Sequence, residues 1–122
     1  MALTTNEDQS DFPSLIRQTS ATNAADTDVL TGTTGRVYAL YLENTTGSPS
    51  NAYFKLYDAK APTVGTTDPI AVFRVRALVN QVITFKTGIK IGTALSTACV
   101  QSGGTAGTSN PATTVAATVF GS

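Results

Sequence analysis

The residue types that most often carry out enzymatic chemistry are scarce in this chain. Its 122 residues include no histidine, which excludes a Ser-His or Cys-His nucleophile pair, a histidine metal cluster and a histidine general base that titrates near neutral pH. The one cysteine, Cys99, lies in STACVQS, where a small apolar strand residue is expected rather than a nucleophile. We therefore predict that the chain has no catalytic residue and is not an enzyme.

Carboxylates offer two further arrangements. Asp58 and Asp68 flank the loop AKAPTVGTTDP and could in principle form an acid-base pair, but a strand end and the position before Pro69 are ordinary structural places for aspartate. The run DTD at residues 26–28 could offer oxygens to calcium, yet the spaced ligands and closing glutamate of a dedicated calcium loop are absent. The sequence therefore predicts no metal and no cofactor.

Composition and charge also exclude several classes of partner. Charged residues make up 13% of the chain and the formal net charge is zero, so no overall field attracts nucleic acid or anionic lipid. A sole cysteine excludes an intrachain disulfide. The N-terminal MALTTNEDQSDF has no basic start and no apolar stretch, and no apolar run in the chain approaches the ~18 residues of a membrane helix. We expect a protein that is made in the cytoplasm, stays soluble and binds neither nucleic acid nor membrane.

The N-terminal segment differs from the rest of the chain. It is polar and follows neither a strand nor a helix period, although SDFPSLIRQ could form a helix of about two turns. So short a helix is not stable by itself. We interpret residues 1–26 as an extended N-terminal arm that adds contact area but no strand, and residues 27–122 as the folded domain.

Apolar and polar residues alternate along the remainder of the chain. In RVYALYLEN, for example, Tyr38, Leu40 and Leu42 fall on one face and Val37 on the other. About seven short strands separated by turn-forming residues predict an all-β fold, an antiparallel β-sandwich of jelly-roll or immunoglobulin-like type. The strand candidates are DVLTG, RVYALYLEN, AYFKLYD, IAVFRVRA, NQVITFK, ALSTACVQ and TVAATVF, with a shorter IKI between the fifth and sixth.

Charge is divided unequally between the two parts of the chain. Residues 1–35 hold five acids and one base, whereas residues 36–122 hold three acids and seven bases. An acidic segment on a chain with a basic body is complementary to a neighbouring copy of the same chain. The alternative interpretation is a solvated tail that has no partner.

The C-terminal region carries no charged side chain after Lys90, from IGTALSTACV to the closing ATVFGS. Proteins usually guard exposed strand edges with lysine or proline, because an unguarded edge pairs with other chains. We therefore expect another chain to cover this region in the working state. Thr97 and Thr118 are the positions that we expect to point outward there.

Three stretches of the chain, AYFKLYDAKAPTVGTTDPIAVFRV, ITFKTGIKIGTALSTACV and a closing TVAATVF, resemble small β-sandwich virion proteins of tailed bacteriophages. In that family a strand like YVKLYD leads through a Pro-Thr-x-Gly-Thr loop to a proline and a new strand, and a GI.....GL element comes later. The likeness covers Arg36 to Phe120 and leaves the arm unmatched. The second glycine of the later element corresponds to Thr93 or Ala94 here, which departs from the pattern.

The resemblance implies a non-enzymatic virion structural protein, made in the host cytoplasm and located on the capsid surface. A capsid decoration or cement protein that forms a homo-oligomer, a trimer or a dimer, and binds the major capsid protein is the first hypothesis. The alternative is a tail, fibre or head-tail junction component that binds a receptor or a carbohydrate, on which exposed tyrosines could stack. The candidate interface residues are Phe12, Leu15, Ile16, Arg17, Tyr53, Tyr57, Thr97 and Thr118.

Overall fold

The computed structural model describes residues 14–18, 21–24, 26–27, 35–47 and 50–121. In these residues the chain forms strands and turns and no helix. The strands are β1 (Ser14–Gln18), β2 (Asp26–Thr27), β3 (Gly35–Gly47), β4 (Ala52–Asp58), β5 (Ala71–Val75), β6 (Val79–Ile91), β7 (Leu95–Val100) and β8 (Thr113–Gly121).

The strands form two antiparallel sheets. The first has the order β1-β8-β3-β6 and the second the order β2-β7-β4-β5. Three strands make up the body of each sheet, and the N-terminal segment adds one short strand to each. The all-β class and the antiparallel pairing are confirmed, whereas the jelly-roll or immunoglobulin-like type stays a prediction.

Both sheets contribute to one hydrophobic core. Along β8 its members Val115, Ala117 and Val119 alternate with residues of the opposite face, which is the pattern of a strand that turns one face to a core. Since the buried residues of the two sheets form a single cluster, the sheets pack on one another through it. The cluster includes Val37, Leu40, Leu42, Ile91, Val115, Ala117 and Val119 from the first sheet and Ala52, Phe54, Leu56, Val75, Leu95 and Cys99 from the second.

A bulge changes which side chains of β3 face the core. The register with β8 shifts between Val37 and Ala39, and both Val37 and Leu40 are fully buried in the core. Strict alternation put these two residues on opposite faces, and that prediction is wrong because an irregularity in the ladder turns the following side chains to the other face.

The same irregularity joins two strands that the sequence suggested were separate. Pairing of β3 with β6 moves from Ala39–Thr84 to Val37–Ile89, so four residues of β6 lie opposite one residue of β3. Gly88 adopts a φ of 81° within this bulge, and a Cβ there would lie 3.0 Å from the Cβ of Arg36. The TG pair therefore bends one long strand, where NQVITFK and IKI were expected to be two.

The N-terminal segment contributes strands, contrary to the expectation of an arm without them. Residues 14–18 pair with β8 from Ser14–Gly121 to Gln18–Ala117, so the helix predicted for SDFPSLIRQ is wrong over this part. Pairing with β8 gives part of the backbone groups of these five residues hydrogen-bond partners, whereas an isolated two-turn helix is unstable. The division of the chain at residue 26 stays a prediction, since most of residues 1–26 lie outside the described part.

The segment then passes from one sheet to the other. The backbone N–H of Ala21 donates to the Val115 carbonyl at 2.8 Å, and the Thr22 carbonyl accepts from the Cys99 N–H at 2.7 Å. Asp26 and Thr27 then pair with Thr97 and Ser96 of β7. The chain's own N-terminal residues thus lie beside the two C-terminal strands. The strand predicted for DVLTG falls outside the described residues.

Candidate functional site

The strand β4 is buried on both of its faces. Phe54 and Leu56 belong to the shared core, while Lys55 and Tyr57 alternate with them, lie on the outer face of the second sheet and are also fully buried. Two loops of the same chain, residues 59–70 and 101–112, cover this outer face. The aromatic strand is therefore not a platform on which a ligand could stack.

Lys55 holds one of these loops from beneath. Its Nζ donates to the carbonyl oxygens of Thr105 at 3.2 Å and Gly107 at 3.0 Å. Burial lowers the pKa of Lys55, because an ammonium is less stable away from water. Both hydrogen bonds go to backbone carbonyls, so the Lys55 ammonium stabilises the loop of residues 101–112. Its side chain is fully buried and is not presented to solvent.

The loop of residues 59–70 rests on the loop of residues 101–112. The Asp68 Oδ1 accepts from the Thr105 hydroxyl at 3.0 Å. Gly65 adopts a φ of 96°, and a Cβ at that position would overlap the methyl group of Thr108. The Thr67 N–H donates to the Thr63 carbonyl at 2.8 Å and closes the turn between them. The Pro-Thr-x-Gly-Thr loop therefore serves as internal cover in this chain.

The carboxylates of Asp58 and Asp68 accept hydrogen bonds from different groups. The Asp58 carboxylate accepts from the backbone N–H groups of Gly92 at 2.9 Å and Thr93 at 2.7 Å, and from that of Ala94 at 3.3 Å. Partial burial acts to raise the pKa of Asp58, but these three donors outweigh it and lower the pKa. The carboxylate holds the turn between β6 and β7, which the sequence did not predict. The expected position of Asp58 at a strand end is confirmed, since it is the last residue of β4.

Cys99 is an interior residue of β7. It is fully buried in the core, and burial raises the pKa of its thiol to about 12. The thiol stays protonated near neutral pH and is a poor nucleophile. The prediction that Cys99 is a small apolar strand residue is confirmed.

No three His, Cys, Asp or Glu side chains come together as a metal site within the part of the chain that the structure describes. Asp28, the last member of the DTD run, lies outside those residues. In the same residues no helix has the length and apolar character needed to cross a membrane.

Three of the proposed interface residues are buried by their own chain. Tyr57, Thr97 and Thr118 are 0%, 1% and 6% exposed. Thr97 lies directly opposite the core residue Leu56 of β4, so its side chain points toward the core. The expectation that Tyr57, Thr97 and Thr118 are exposed is wrong, because the folded chain itself buries them. Their role as partner contacts stays a prediction.

The remaining proposed residues have mixed positions. Tyr53 is half-buried, and a Cβ on Gly103 would lie 3.2 Å from its ring, so loop 101–112 lies over it. Leu15, Ile16 and Arg17 pair in register with Phe120, Val119 and Thr118 of β8. Phe12 lies outside the described residues. That the arm residues contact a partner chain stays a prediction.

Sequence reasoning missed a different surface. Four large apolar side chains are exposed in the described residues: Ile70 at 44%, Val72 at 37%, Leu78 at 55% and Val82 at 68%. They lie on or beside β5 and β6, which are the outer strands at one end of each sheet. We call residues 70–86 the open side of the molecule.

The open side is held in place by polar contacts at its turn. Asn44 Nδ2 donates to the Arg76 carbonyl at 3.2 Å, and Gln81 Nε2 donates to the Arg74 carbonyl at 3.2 Å. Leu78 has a φ of 63°, a conformation that a leucine adopts at a cost in energy. A strained residue that displays an apolar side chain is typical of a functional surface.

The backbone of the open side includes an unshared strand edge. Among the described residues, β6 pairs with β3 alone. Its successive outward positions Asn80, Val82, Thr84 and Lys86 are all exposed. The run VNQVITF signals a strand in the sequence, but only the sheet order reveals that this strand is an edge.

Comparison of the chain with protein-family models, with curated proteins and with solved structures found no match.

Proposed function

We propose that this chain is a non-enzymatic structural protein of a phage virion, a capsid decoration or cement protein that oligomerises and stabilises the head shell by binding the major capsid protein. The observation that carries the proposal is the open side, where exposed apolar residues lie on or beside the outer strands β5 and β6 and where, among the described residues, β6 has an unshared edge. Surfaces of this kind bind other protein chains. The resemblance of the strand-and-loop sequence to virion proteins supplies the biological setting.

The physical logic of a cement protein fits such a surface. A shell gains stability when a rigid body contacts neighbouring subunits at once, because each contact holds the others in place. A two-sheet body, proposed here as a sandwich of jelly-roll or immunoglobulin-like type, is rigid and can stabilise a shell without catalytic residues. The protein is made in the host cytoplasm and is placed on the capsid surface in this proposal.

The alternative of a tail or fibre module that binds carbohydrate has no specific observation in its favour. Tyr57 is fully buried and Tyr53 lies beneath Gly103, so the two tyrosines do not form an exposed stacking face. A head-tail junction component could use the same open side to bind other chains. It would differ from a decoration protein in its copy number per particle.

The experiment that tests this function measures shell binding and copy number. Purified chain is added to undecorated shells, and bound chain is quantified by gel against the major capsid protein. We expect saturable loading on the order of hundreds of copies per particle, as a shell lattice repeats its contacts by symmetry. Loading of only a few copies would point to the junction or tail, and no loading would contradict the proposal.

A variant pair locates the contact. Ile70→Asp places a charge at an exposed apolar position, so the melting temperature should stay unchanged while loading falls. Lys60→Asp changes charge at an exposed position outside the open side and should load normally. Equal loss in both variants would mean that net charge, and not the open side, governs binding.

A further inference from the structure

The β6 edge has one unguarded stretch. Edge strands are commonly protected from pairing by charges, proline or bulges. The later half of β6 has such guards, since it contains Lys86 and the bulge at Gly88. Residues 79–85, VNQVITF, contain no charge, no proline and no glycine. We call these seven residues the β6 edge segment, and their backbone is available to an added strand.

Charge around the β6 edge segment selects the type of strand that pairs there. Arg74 and Arg76 are exposed before it, and Lys86 and Lys90 are exposed after it. No acidic residue follows Asp68 in the chain. Pairing of two β6 edges from two copies would bring these like charges together, which is unfavourable. An acidic strand has the complementary charge.

The chain itself contains an acidic segment outside the described residues. Residues 1–13, MALTTNEDQSDFP, include Glu7, Asp8 and Asp11 and no basic side chain. They begin with a neutral stretch, Ala2 to Asn6, which suits the neutral β6 edge segment. Thirteen residues span up to roughly 45 Å when extended, which is long enough to reach a neighbouring copy.

We propose that residues 1–13 of a second copy pair with the β6 edge segment as an added antiparallel strand. All strand pairs in the fold are antiparallel, and antiparallel pairs are the more common kind. In that direction the neutral residues lie along the edge segment and the acids lie at its start. Glu7, Asp8 and Asp11 then face Arg74 and Arg76, while Lys86 and Lys90 lie at the far end.

A second copy fits better than the same chain. Ser14, Gly121, Val37 and Ile89 form one row across the first sheet, with Ser14 on the edge opposite β6. An added strand beyond β6 lies four strand spacings of about 4.8 Å each from Ser14, so the crossing uses at least about six extended residues. Residues 8–13, with Asp8 and Asp11, would be consumed in the crossing, whereas a strand from a second copy brings all three acids to the arginines.

The inference rests on the proposed assembly function and names the partner at one of its surfaces. Reciprocal exchange, in which each copy gives its segment and receives one, closes a symmetric pair. The test uses the purified full-length chain without shells. Failure of self-association therefore leaves shell loading to be judged separately, and the two proposals can fail independently.

The test is a charge exchange between two full-length variants. The edge variant is Arg74→Glu/Arg76→Glu, and the arm variant is Glu7→Lys/Asp8→Lys/Asp11→Lys. Sedimentation velocity should show that wild-type chain self-associates and that each variant alone does so at least about tenfold more weakly, since like charges now meet. In an equimolar mixture both contacts between the two variants are attractive, so association returns as mixed pairs.

The matched control is Lys86→Glu/Lys90→Glu, which changes the net charge of the chain by the same amount at the other end of β6. It should associate like wild type. The proposal is overturned if wild-type chain is monomeric, if the edge variant associates like wild type, if the control weakens as much as the edge variant, or if the mixture does not recover. Monomeric wild type with slow amide exchange in residues 79–85 would indicate pairing by the chain's own segment instead.

Discussion

Two uncharged stretches of this chain have opposite surroundings. The C-terminal strands β7 and β8 and the β6 edge segment all lack charge. Each of β7 and β8 has a strand of its own chain on both sides, whereas β6 has one on a single side. Absence of charge therefore does not by itself distinguish a strand with neighbours on both sides from one with an unshared edge, and the sheet order decides between them.

Strand β7 is the clearest case of a strand that is buried by its own chain. Every residue of β7 is buried, with β2 and β4 beside it and loops over its outer face. We call residues 52–58, 95–100 and 115–121 the covered region. Four sets of substitutions test its contrast with the open side.

The largest effect is expected when a charge is placed in the covered region. Thr97→Lys forces an ammonium into a site that is 1% exposed, which should lower the free energy of unfolding by on the order of 3 kcal/mol or more. Thr84→Lys, at an exposed position of β6, should change it by less than about 0.5 kcal/mol. Denaturant titration measures both, and similar costs would remove the distinction between the two regions.

The second effect concerns the cover over the outer face of β4. Lys55→Met keeps most of the side-chain volume but removes the donor to the Thr105 and Gly107 carbonyls. We expect a loss of about 1–3 kcal/mol and faster proteolysis within residues 101–112. Lys60→Met, at an exposed site, is the control. An unchanged proteolysis rate would show that the loop is held by other contacts.

The third effect depends on pH. The pKa of Asp58 is lower in the folded state than its usual value, so its contribution is present above the unfolded value near ~3.9 and is lost as pH falls through the folded pKa. Asp58→Asn should cost about 1 kcal/mol near neutral pH. The stability gap between wild type and variant should narrow toward about pH 3. A gap that is constant with pH would mean that the ionised carboxylate is not the stabilising form.

The smallest effect on stability is expected for the substitution Tyr57→Phe. The Tyr57 hydroxyl is buried and has no hydrogen-bond partner among the described residues, and burial raises the pKa of Tyr57. Tyr57→Phe should leave stability unchanged or raise it by up to about 1 kcal/mol, because an unpaired buried hydroxyl is costly. Tyr57→Ala should instead destabilise, by about 3 kcal/mol or more, through the cavity that it leaves. A loss in Tyr57→Phe would reveal a partner for the hydroxyl.

Local sequence signals predicted individual strands well where turns bound them. AYFKLYD corresponds residue for residue to β4, because apolar and β-favouring residues end there in a loop rich in proline, glycine and threonine. NQVITFK and IKI were separated at TG, since a bulge and a turn both require a glycine with positive φ. Only the pairing of Val37 with Ile89 shows that the TG pair forms a bulge within one strand and not a turn between two strands.

The candidate surfaces could not be placed in the same way. Thr97 and Thr118 were expected to be exposed because their strands carry no charge, but both side chains are buried within the folded chain. The open side was missed because Val82 and Leu78 look like ordinary strand and turn residues in the sequence. Which strand lies at an edge depends on pairings between residues distant in the chain.

The sequence by itself determined the all-β class, the chemistry that a chain without histidine does not perform, and the role of Cys99 as a buried strand residue. These follow from residue types and short-range alternation, which act within a few positions of the chain. Only the tertiary structure decided that the N-terminal segment pairs with β8 and β7 and that β5 and β6 are the open strands. Strand order arises from hydrogen bonds between segments far apart in sequence, and no local pattern records them.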